Sequence, residues 1–303
     1  MRWKKLGLIF APTGDVEWMA SHASNPVAMQ IDGLRYRIFF SARDKENRSC
    51  ITYLDLTLNV PTKPIEVSSY PLLTAGVPGA FDDSGVSMGA IYTSAGSTYI
   101  YYLGWNLGVT VPFRNSIGLA LYDSKKNLME RHSEAPILDR SQEDPFSISY
   151  PFIQQENGHL RMWYGSHLCW GSKVDDMRHV IKYAESDNGI NWTRKNQIVI
   201  PLHNDDEIAV SRPTIIKHLK SYHMLYSYRS KSQHYRIGYA TSDDGMHWCR
   251  VDDCAGIDVS ASGWDSEMVC YPSFIKHDND IYLLYCGNSY GKSGFGIAKL
   301  ETW

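Results

Sequence analysis

The sequence predicts an all-β fold: a five-bladed β-propeller in which each blade is a four-stranded antiparallel sheet. Short β-branched and aromatic runs, bounded by turn residues, recur along the whole chain, as consecutive antiparallel strands do. The runs also repeat as a unit with a period of roughly 60 residues, a little above the per-blade range of familiar propeller repeats. Finally, the segment Trp3–Phe10 resembles a later outer-strand segment, Trp192–Ile200, while the last repeat stops at Trp303 without such a strand. The N-terminal segment is therefore expected to supply that strand and close the ring, which removes an exposed sheet edge. Residues 1–303 then form a single domain.

The unit is clearest from Ser211 to Trp248. Arg212–Lys217, with Pro213 second, reads as an inner strand. Tyr222–Tyr228 and Tyr235–Ala240 read as the second and third strands, and a polar turn, Thr241–Gly245, is closed by Trp248. The inner strand recurs as Asn25–Met29, Tyr150–Ile153 and Tyr271–Ile275, and in degenerate form as Met88–Tyr92. The second strand recurs as Tyr36–Phe40, Tyr99–Tyr102, Leu160–Tyr164 and Ile281–Tyr285. The third gives Ile51–Leu54, Ile117–Ala120, Val180–Ala184 and Phe295–Ala298.

Strand direction alternates within an antiparallel blade. The start of strand one and the connector from strand two to strand three therefore lie on one face. That face carries His22, Arg43, Asp44, Asp83, Trp105, His167, Trp170, Glu207, Arg212, Arg229, Glu267, Asn288 and Tyr290. Function on rigid β scaffolds usually sits in such loops. The opposite face receives the turns Asp187–Gly189 and Asp243–Gly245. Thr241–Trp248 has the T-x-D-x-G-x-x-W form of an Asp box, as in sialidases, and Glu185–Trp192 matches it without the leading Ser/Thr. Turn chemistry accounts for both: Asp and Gly form the turn and Trp packs under it.

Five blades, Pro-led inner strands and S-D-x-G-x-x-W turns together resemble the five-bladed glycosidase superfamily, glycoside hydrolase families 32, 43, 68 and 130. The resemblance spans nearly the whole chain as a blade pattern. Family 43 places an Asp directly before the Pro of an early inner strand as general base; here that position is Asn25, before Pro26. Asn25-Pro26 is more similar to the N-P of family 130, the mannoside phosphorylases and related hydrolases. Phe40–Asp44 is similar to the arginine-bearing end of that family's second strand, whereas Met88-Gly89 stands where the family has D-P-R. The segments Gly263–Glu267 and Gly287–Gly291 resemble an uncharacterised branch tied to bacterial surface-polysaccharide synthesis.

Glycosidic-bond chemistry requires a proton donor at the bridging oxygen and a base or nucleophile at the anomeric carbon, usually two carboxyls. Asp83, Glu207 and Glu267 precede inner strands at similar offsets and are expected near the funnel mouth. Glu267 is the preferred donor, because Trp264 and Tyr271 flank it and apolar neighbours favour a protonated carboxyl. Asp83 or Glu207 would be base or nucleophile. Arg43 and Arg212 could hold a carboxylate or phosphate through bidentate hydrogen bonds. Trp105, Trp170 and Tyr290 offer flat faces for sugar rings. His22, Asn25, Asp44, His167, Arg229, Tyr271 and Asn288 complete the expected binding set. Three outcomes stay open: a glycoside hydrolase, a phosphorylase or transferase using a phosphate-bearing substrate, and a glycan-binding propeller without catalysis. Fold alone does not separate them.

The net charge of −3 predicts no nucleic-acid partner. No apolar stretch approaches a membrane span, and Leu6–Phe10 is shorter than a secretory apolar core, so the cytoplasm is expected. The six cysteines show no metal-ligand spacing and read as mostly buried thiols in a reducing compartment, with Cys249 and Cys254 close enough in sequence to pair. No metal or other cofactor is expected. The sequence leaves the oligomeric state open.

Overall fold

The computed structural model of the protein describes residues 1–303, apart from the side chain of Val174. The chain is all-β, and its twenty strands fall into five antiparallel units of four. The first unit is β2 (Ser21–Asp32), β3 (Arg35–Arg43), β4 (Ser49–Thr57) and β5 (Glu66–Val67). The second is β6 (Gly85–Ser94), β7 (Ser97–Leu107), β8 (Phe113–Asp123) and β9 (Leu128–Arg131). The third is β10 (Ile148–Glu156), β11 (His159–Cys169), β12 (Arg178–Ser186) and β13 (Thr193–Ile200). The fourth is β14 (Glu207–His218), β15 (Ser221–Ser230), β16 (Arg236–Ser242) and β17 (Cys249–Arg250). The fifth is β18 (Cys270–His277), β19 (Asp280–Cys286), β20 (Phe295–Thr302) and the N-terminal strand β1 (Arg2–Phe10), which pairs antiparallel with β20. Single parallel bridges, Ser49 with Gly85 and His179 with Ala209, join the first unit to the second and the third to the fourth.

Local chemistry sets the hairpins. Ala95-Gly96 and Asn157-Gly158 turn β6 into β7 and β10 into β11 with both residues at positive φ, the two-residue geometry whose twist matches the strands. The Asp-box turns hold themselves through hydrogen bonds. Ser242 Oγ accepts the Gly245 N–H at 2.8 Å, Asp244 Oδ1 accepts from Met246 and His247, and Trp248 Nε1 donates to Gly245 O at 2.9 Å. Ser186, Asn188, Gly189 and Trp192 repeat the pattern. The bonding residues are thus Ser242 and Asp244, one place later than the T-x-D reading of Thr241 and Asp243. This is why the third unit keeps a full turn without the leading Thr.

Apolar clusters fill each interface between successive units. Phe39, Tyr53 and Met88 join the first and second, Tyr101 and Met162 the second and third, and Trp163 and Met224 the third and fourth. Leu225 and Leu283 join the fourth and fifth, and Ile9, Phe40, Leu284 and Phe295 join the fifth to the first. The first strands lie side by side, β2 with β6, β6 with β10, β10 with β14, β14 with β18, and β18 with β2.

Each inner strand carries a bulge near its start, and in four of the five a residue preceding proline has positive φ: Asn25, Tyr150, Arg212 and Tyr271, at 53°, 43°, 54° and 55°. A residue before proline ordinarily stays extended. A non-glycine residue held in the left-handed region costs on the order of 1–3 kcal/mol and persists only where the surroundings over-determine it. Here the next-door unit contributes: Ser227 Oγ accepts the Tyr271 N–H at 2.7 Å. In the second unit, Met88-Gly89 keeps the bulge without the proline. Met88 is fully buried in the apolar core, and its N–H donates to Ser41 Oγ at 2.8 Å.

All six thiols are free. Cys50, Cys270 and Cys286 are buried, but Cys169 is half-buried and Cys249 and Cys254 are exposed, so only half of them fit the buried reading. Cys249 sits on the short edge strand β17 and Cys254 in the turn after it, where the sheet is too narrow to cover them. Among the described residues no helix is long and apolar enough to cross a membrane.

Candidate functional site

Three of the bulged residues, Asn25, Tyr150 and Tyr271, open onto a cavity of about 470 Å³. Seven of the residues expected from the sequence line it: His22, Asn25, Arg43, His167, Arg229, Tyr271 and Tyr290. Tyr150, Asp175, His179 and Tyr235 join them, as do the small polar side chains Ser24, Ser49, Ser87, Asn115 and Ser149. Tyr150 could have been found by its place before Pro151, which matches Asn25 before Pro26. His179 faces His167 across the β11–β12 pair, a register the sequence does not state.

Two aromatic walls shape the cavity. On one, the His167 and His179 rings stack at 5.0 Å, Trp170 lies 4.7 Å from His167, and Phe113 meets Trp170 edge-on at 5.0 Å. Trp170 thus backs a lining residue and is not itself part of the lining. On the other, Tyr150, Tyr271, Tyr235 and Tyr290 follow one another at centroid separations of 5.4, 6.0 and 6.0 Å. Two guanidinium groups sit against this wall, Arg212 5.9 Å from the Tyr150 ring and Arg229 5.7 Å from Tyr235. Arg212, expected among the binding residues, is buried and does not line this cavity: its Nη1 donates to Gly89 O, and with Gly89 and Pro213 it lines a second cavity of about 270 Å³.

The electrostatics are unusual for a buried site. Burial, reinforced by Arg43 and Lys292, pushes His22 down to about 4. Burial and then Arg229 push His179 to about 4, and burial with its neighbour His179 holds His167 well below the ordinary value. All three imidazoles are therefore neutral at pH 7. Burial lowers Arg212 to about 10, still charged at neutrality. Burial also raises the Tyr150, Tyr235 and Tyr271 hydroxyls. Polar atoms around the cavity are buried without a partner: Asn25 Oδ1, His167 Nδ1, Arg229 Nε and Nη2, and Arg212 Nε. A buried donor left unpaired costs about 1–3 kcal/mol, which a ligand atom can recover. Arg229 Nη1 is already engaged, at 2.9 Å from Asp175 Oδ1. The arrangement suits a saccharide ring against the aromatics with an oxyanion on the arginines. Among the described residues no cluster of three or more His, Cys, Asp or Glu side chains could hold a metal ion.

The three expected catalytic carboxylates are not among the lining residues. Asp83 accepts from Asn106, Ser84 and the Gly79 N–H, as the anchor of its own loop. Glu207 is buried in a two-point ion pair with Arg250 of β17, at 2.8 and 2.9 Å. Glu267 is exposed, and its backbone N–H donates to Asn288 Oδ1. The similar offsets have a structural cause. Asp82, Asp144 and Asp265 each accept from a tyrosine on the second strand, Tyr102, Tyr164 and Tyr285, and pair with a cation from the outer strand, Arg131, Arg194 and Lys5. Glu207 takes the cation half of this device in the fourth unit. In four of the five units the carboxylate ties the inner-strand approach to the outer strand.

The remaining expected residues have supporting contacts. Asp44 anchors its own loop by accepting from the Glu46 and Arg48 N–H groups. Trp105 lies 6.0 Å behind the Arg43 guanidinium and donates to Ser49 Oγ at 2.8 Å. Asn288 bridges the 263–268 loop, its amide meeting Gly263 O and the N–H groups of Glu267 and Met268.

The profile of glycoside hydrolase family 130, described as beta-1,4-mannooligosaccharide phosphorylase, matches residues 125–289. Uncharacterised proteins from two strains of Mycobacterium tuberculosis are 42% identical over 302 residues, covering 100% of both chains. Among solved structures, a glycosyl hydrolase from Bacteroides ovatus superposes with a TM-score of 0.74 at 16% identity, over 99% of this chain and 93% of that one. A structure from a study of the mannoside phosphorylase family and its hydrolases that target beta-1,2 mannosidic linkages in Candida mannan gives 0.70 at 15% identity, over 98% and 93%. A thermostable family-43 glycoside hydrolase gives 0.65 at 16% identity, over 92% and 88%. These likenesses establish a propeller-type glycosidase fold.

Proposed function

The chain belongs to glycoside hydrolase family 130, a family of carbohydrate-active enzymes, and from that premise we propose that it transfers a glycosyl group from a β-linked manno-oligosaccharide to inorganic phosphate in the central cavity. The carrying observation is the pair of buried, unpartnered donors on a cavity-lining residue, Arg229 Nε and Nη2, with the unpartnered His167 Nδ1 in the same lining. The arginine fork matches phosphate oxygens through paired, charge-assisted hydrogen bonds.

Phosphorolysis fits better than hydrolysis. Hydrolysis needs two carboxyls flanking the bond, one of them activating water. Asp83, Glu207 and Glu267 are committed elsewhere or exposed away from the cavity lining. Phosphate is its own nucleophile, so Asn25 in place of a general base costs the reaction nothing. The same reading takes residues 1–303 as one domain, a five-bladed propeller closed by β1. It is supported by the five interface clusters and the β1–β20 pairing. The cytoplasm is the proposed location, in keeping with six free thiols.

The test is to incubate the protein with β-1,4-mannobiose, with and without inorganic phosphate, and to follow mannose and mannose 1-phosphate. The sugar phosphate should form only when phosphate is present. Equal release of mannose without phosphate would establish a hydrolase instead. Saturable saccharide binding with no turnover of any glycoside would establish a binding module.

A further inference from the structure

The second cavity continues the first along the inner strands. Asn25, Tyr150 and Tyr271 line the first, and residues that follow them on the same strands, Val27, Phe152 and Pro272, line the second. Gly89 of β6 and Pro213 of β14 complete it, so all five inner strands contribute. The lining is largely apolar and holds two charged residues, Arg212 and Lys276, both cations. Among the described residues no carboxylate lines it.

Arg212 stands there without a counter-charge. It is 2% exposed, its Nη1 donates to Gly89 O of the second unit, and its Nε is buried without a partner. The ionisable groups that bear on its charge are Tyr150, Tyr271 and Cys286, with no carboxylate among them. The other two buried arginines are different: Arg161 pairs with Glu156 at 2.8 Å and Arg229 with Asp175 at 2.9 Å. A buried charge is ordinarily paired, because an unpaired one costs several kcal/mol even after the surroundings relax. The chain itself supplies no partner for this one, and the cavity beside it has room for an ion.

We propose that this cavity binds a chloride ion against the Arg212 guanidinium, as a structural anion that neutralises the buried charge. One guanidinium balances one negative charge. Thr214 and Ser273 bring buried hydroxyls to the same space, and Thr214 Oγ1, which accepts the Phe274 N–H at 3.2 Å, keeps its own proton to donate. The rest of the lining, such as Ile91, Ile153 and Ile215, offers nothing to replace the water around a multiply charged ion, whose desolvation costs more. Lys276 is exposed and adds a second positive charge that draws anions toward the opening. This ion is independent of the phosphate proposed at Arg229, which lines the other cavity.

The experiment melts wild type and Arg212→Met in phosphate-free buffer containing sodium chloride, sodium bromide or, at equal ionic strength, the bulkier sodium methanesulfonate. Wild type should melt about 3 °C or more higher in either halide, as expected of an ion bound only by the folded chain. The variant should show no such difference. Crystals of wild type grown with bromide as the only halide should give an anomalous peak within hydrogen-bond reach of the Arg212 guanidinium. Absence of that peak would overturn the proposal, as would a peak confined to the Arg229 edge. A peak at Arg212 with equal wild-type melts in the three salts would mark an adventitious ion only and overturn it too, and so would a halide effect that persists in the variant. Should Arg212→Met not fold, the wild-type melts and the bromide peak decide alone.

Discussion

Lys5 Nζ lies 2.7 Å from Asp265 Oδ2, joining the first strand to a loop 260 residues further along the chain. Three other units make the same kind of link with their own outer strands: Arg131 to Asp82, Arg194 to Asp144 and Arg250 to Glu207. The N-terminal strand therefore does chemically what an outer strand does elsewhere. Asp265 is buried, and loss of its cation leaves a charge that only Tyr285 partly satisfies. Lys5→Met should cost on the order of 3 kcal/mol in urea unfolding. Deletion of Met1–Ala11 should abolish cooperative folding, because it bares the β20 edge and removes Ile9 and Phe10 from the cluster shared with the first unit. Wild-type-like unfolding of both variants would refute this role for the N-terminal strand.

Glu156 links the third and fourth units on the face opposite the cavity. Hydrogen bonds from Lys217, Tyr222 and Arg161 hold its carboxyl down at about 2, against an unfolded value of about 4.3. A carboxyl depressed in the folded state contributes stability that is present above the unfolded value and lost as pH falls through the folded one. Stability should therefore decline between about pH 4.3 and 2, and Glu156→Gln should flatten that decline. Unfolding curves measured across the window would disprove the role if wild type and variant ran parallel.

The cavity histidines behave in a related way. His22 and His179 are held near 4 by burial, so between about pH 6.5 and 4 the unfolded chain binds protons that the folded chain does not. Their contribution to stability is complete above pH 6.5 and fades toward pH 4. Imidazole resonances followed by NMR should show no charge change at His22, His167 or His179 between pH 7.5 and 5.5. A titration midpoint near 6.5 at any of the three would contradict the buried, neutral description.

The strands were legible because their pattern is local. Period-two aromatic runs such as Tyr222–Tyr228, and turns such as Asn157-Gly158, carry their conformation in a few neighbouring residues. Part of the site was legible as well, since Asn25 and Tyr271 mark themselves by preceding proline. The chemistry was harder to read. Asp83, Glu207 and Glu267 were chosen for similar offsets, but what repeats in every blade of a propeller is its construction, and an active site has no reason to repeat. Asp82, Asp144 and Asp265 are the true repeat, each locked to a tyrosine and a cation. Asp175 lies in a connector with no counterpart in the other units, so no periodicity could single it out. His179 and Tyr235 reach the cavity only through the register of β12 and the approach to β16, which long-range packing decides.

The central claim is that the Arg229 edge of the cavity receives an oxyanion. Calorimetric titration of inorganic phosphate into wild type and Arg229→Gln measures this directly. Wild type should bind phosphate saturably with a stoichiometry near one, and the variant should bind at least tenfold more weakly, because two charge-assisted hydrogen bonds are lost. No binding to wild type, or equal affinity in the two proteins, would contradict the account.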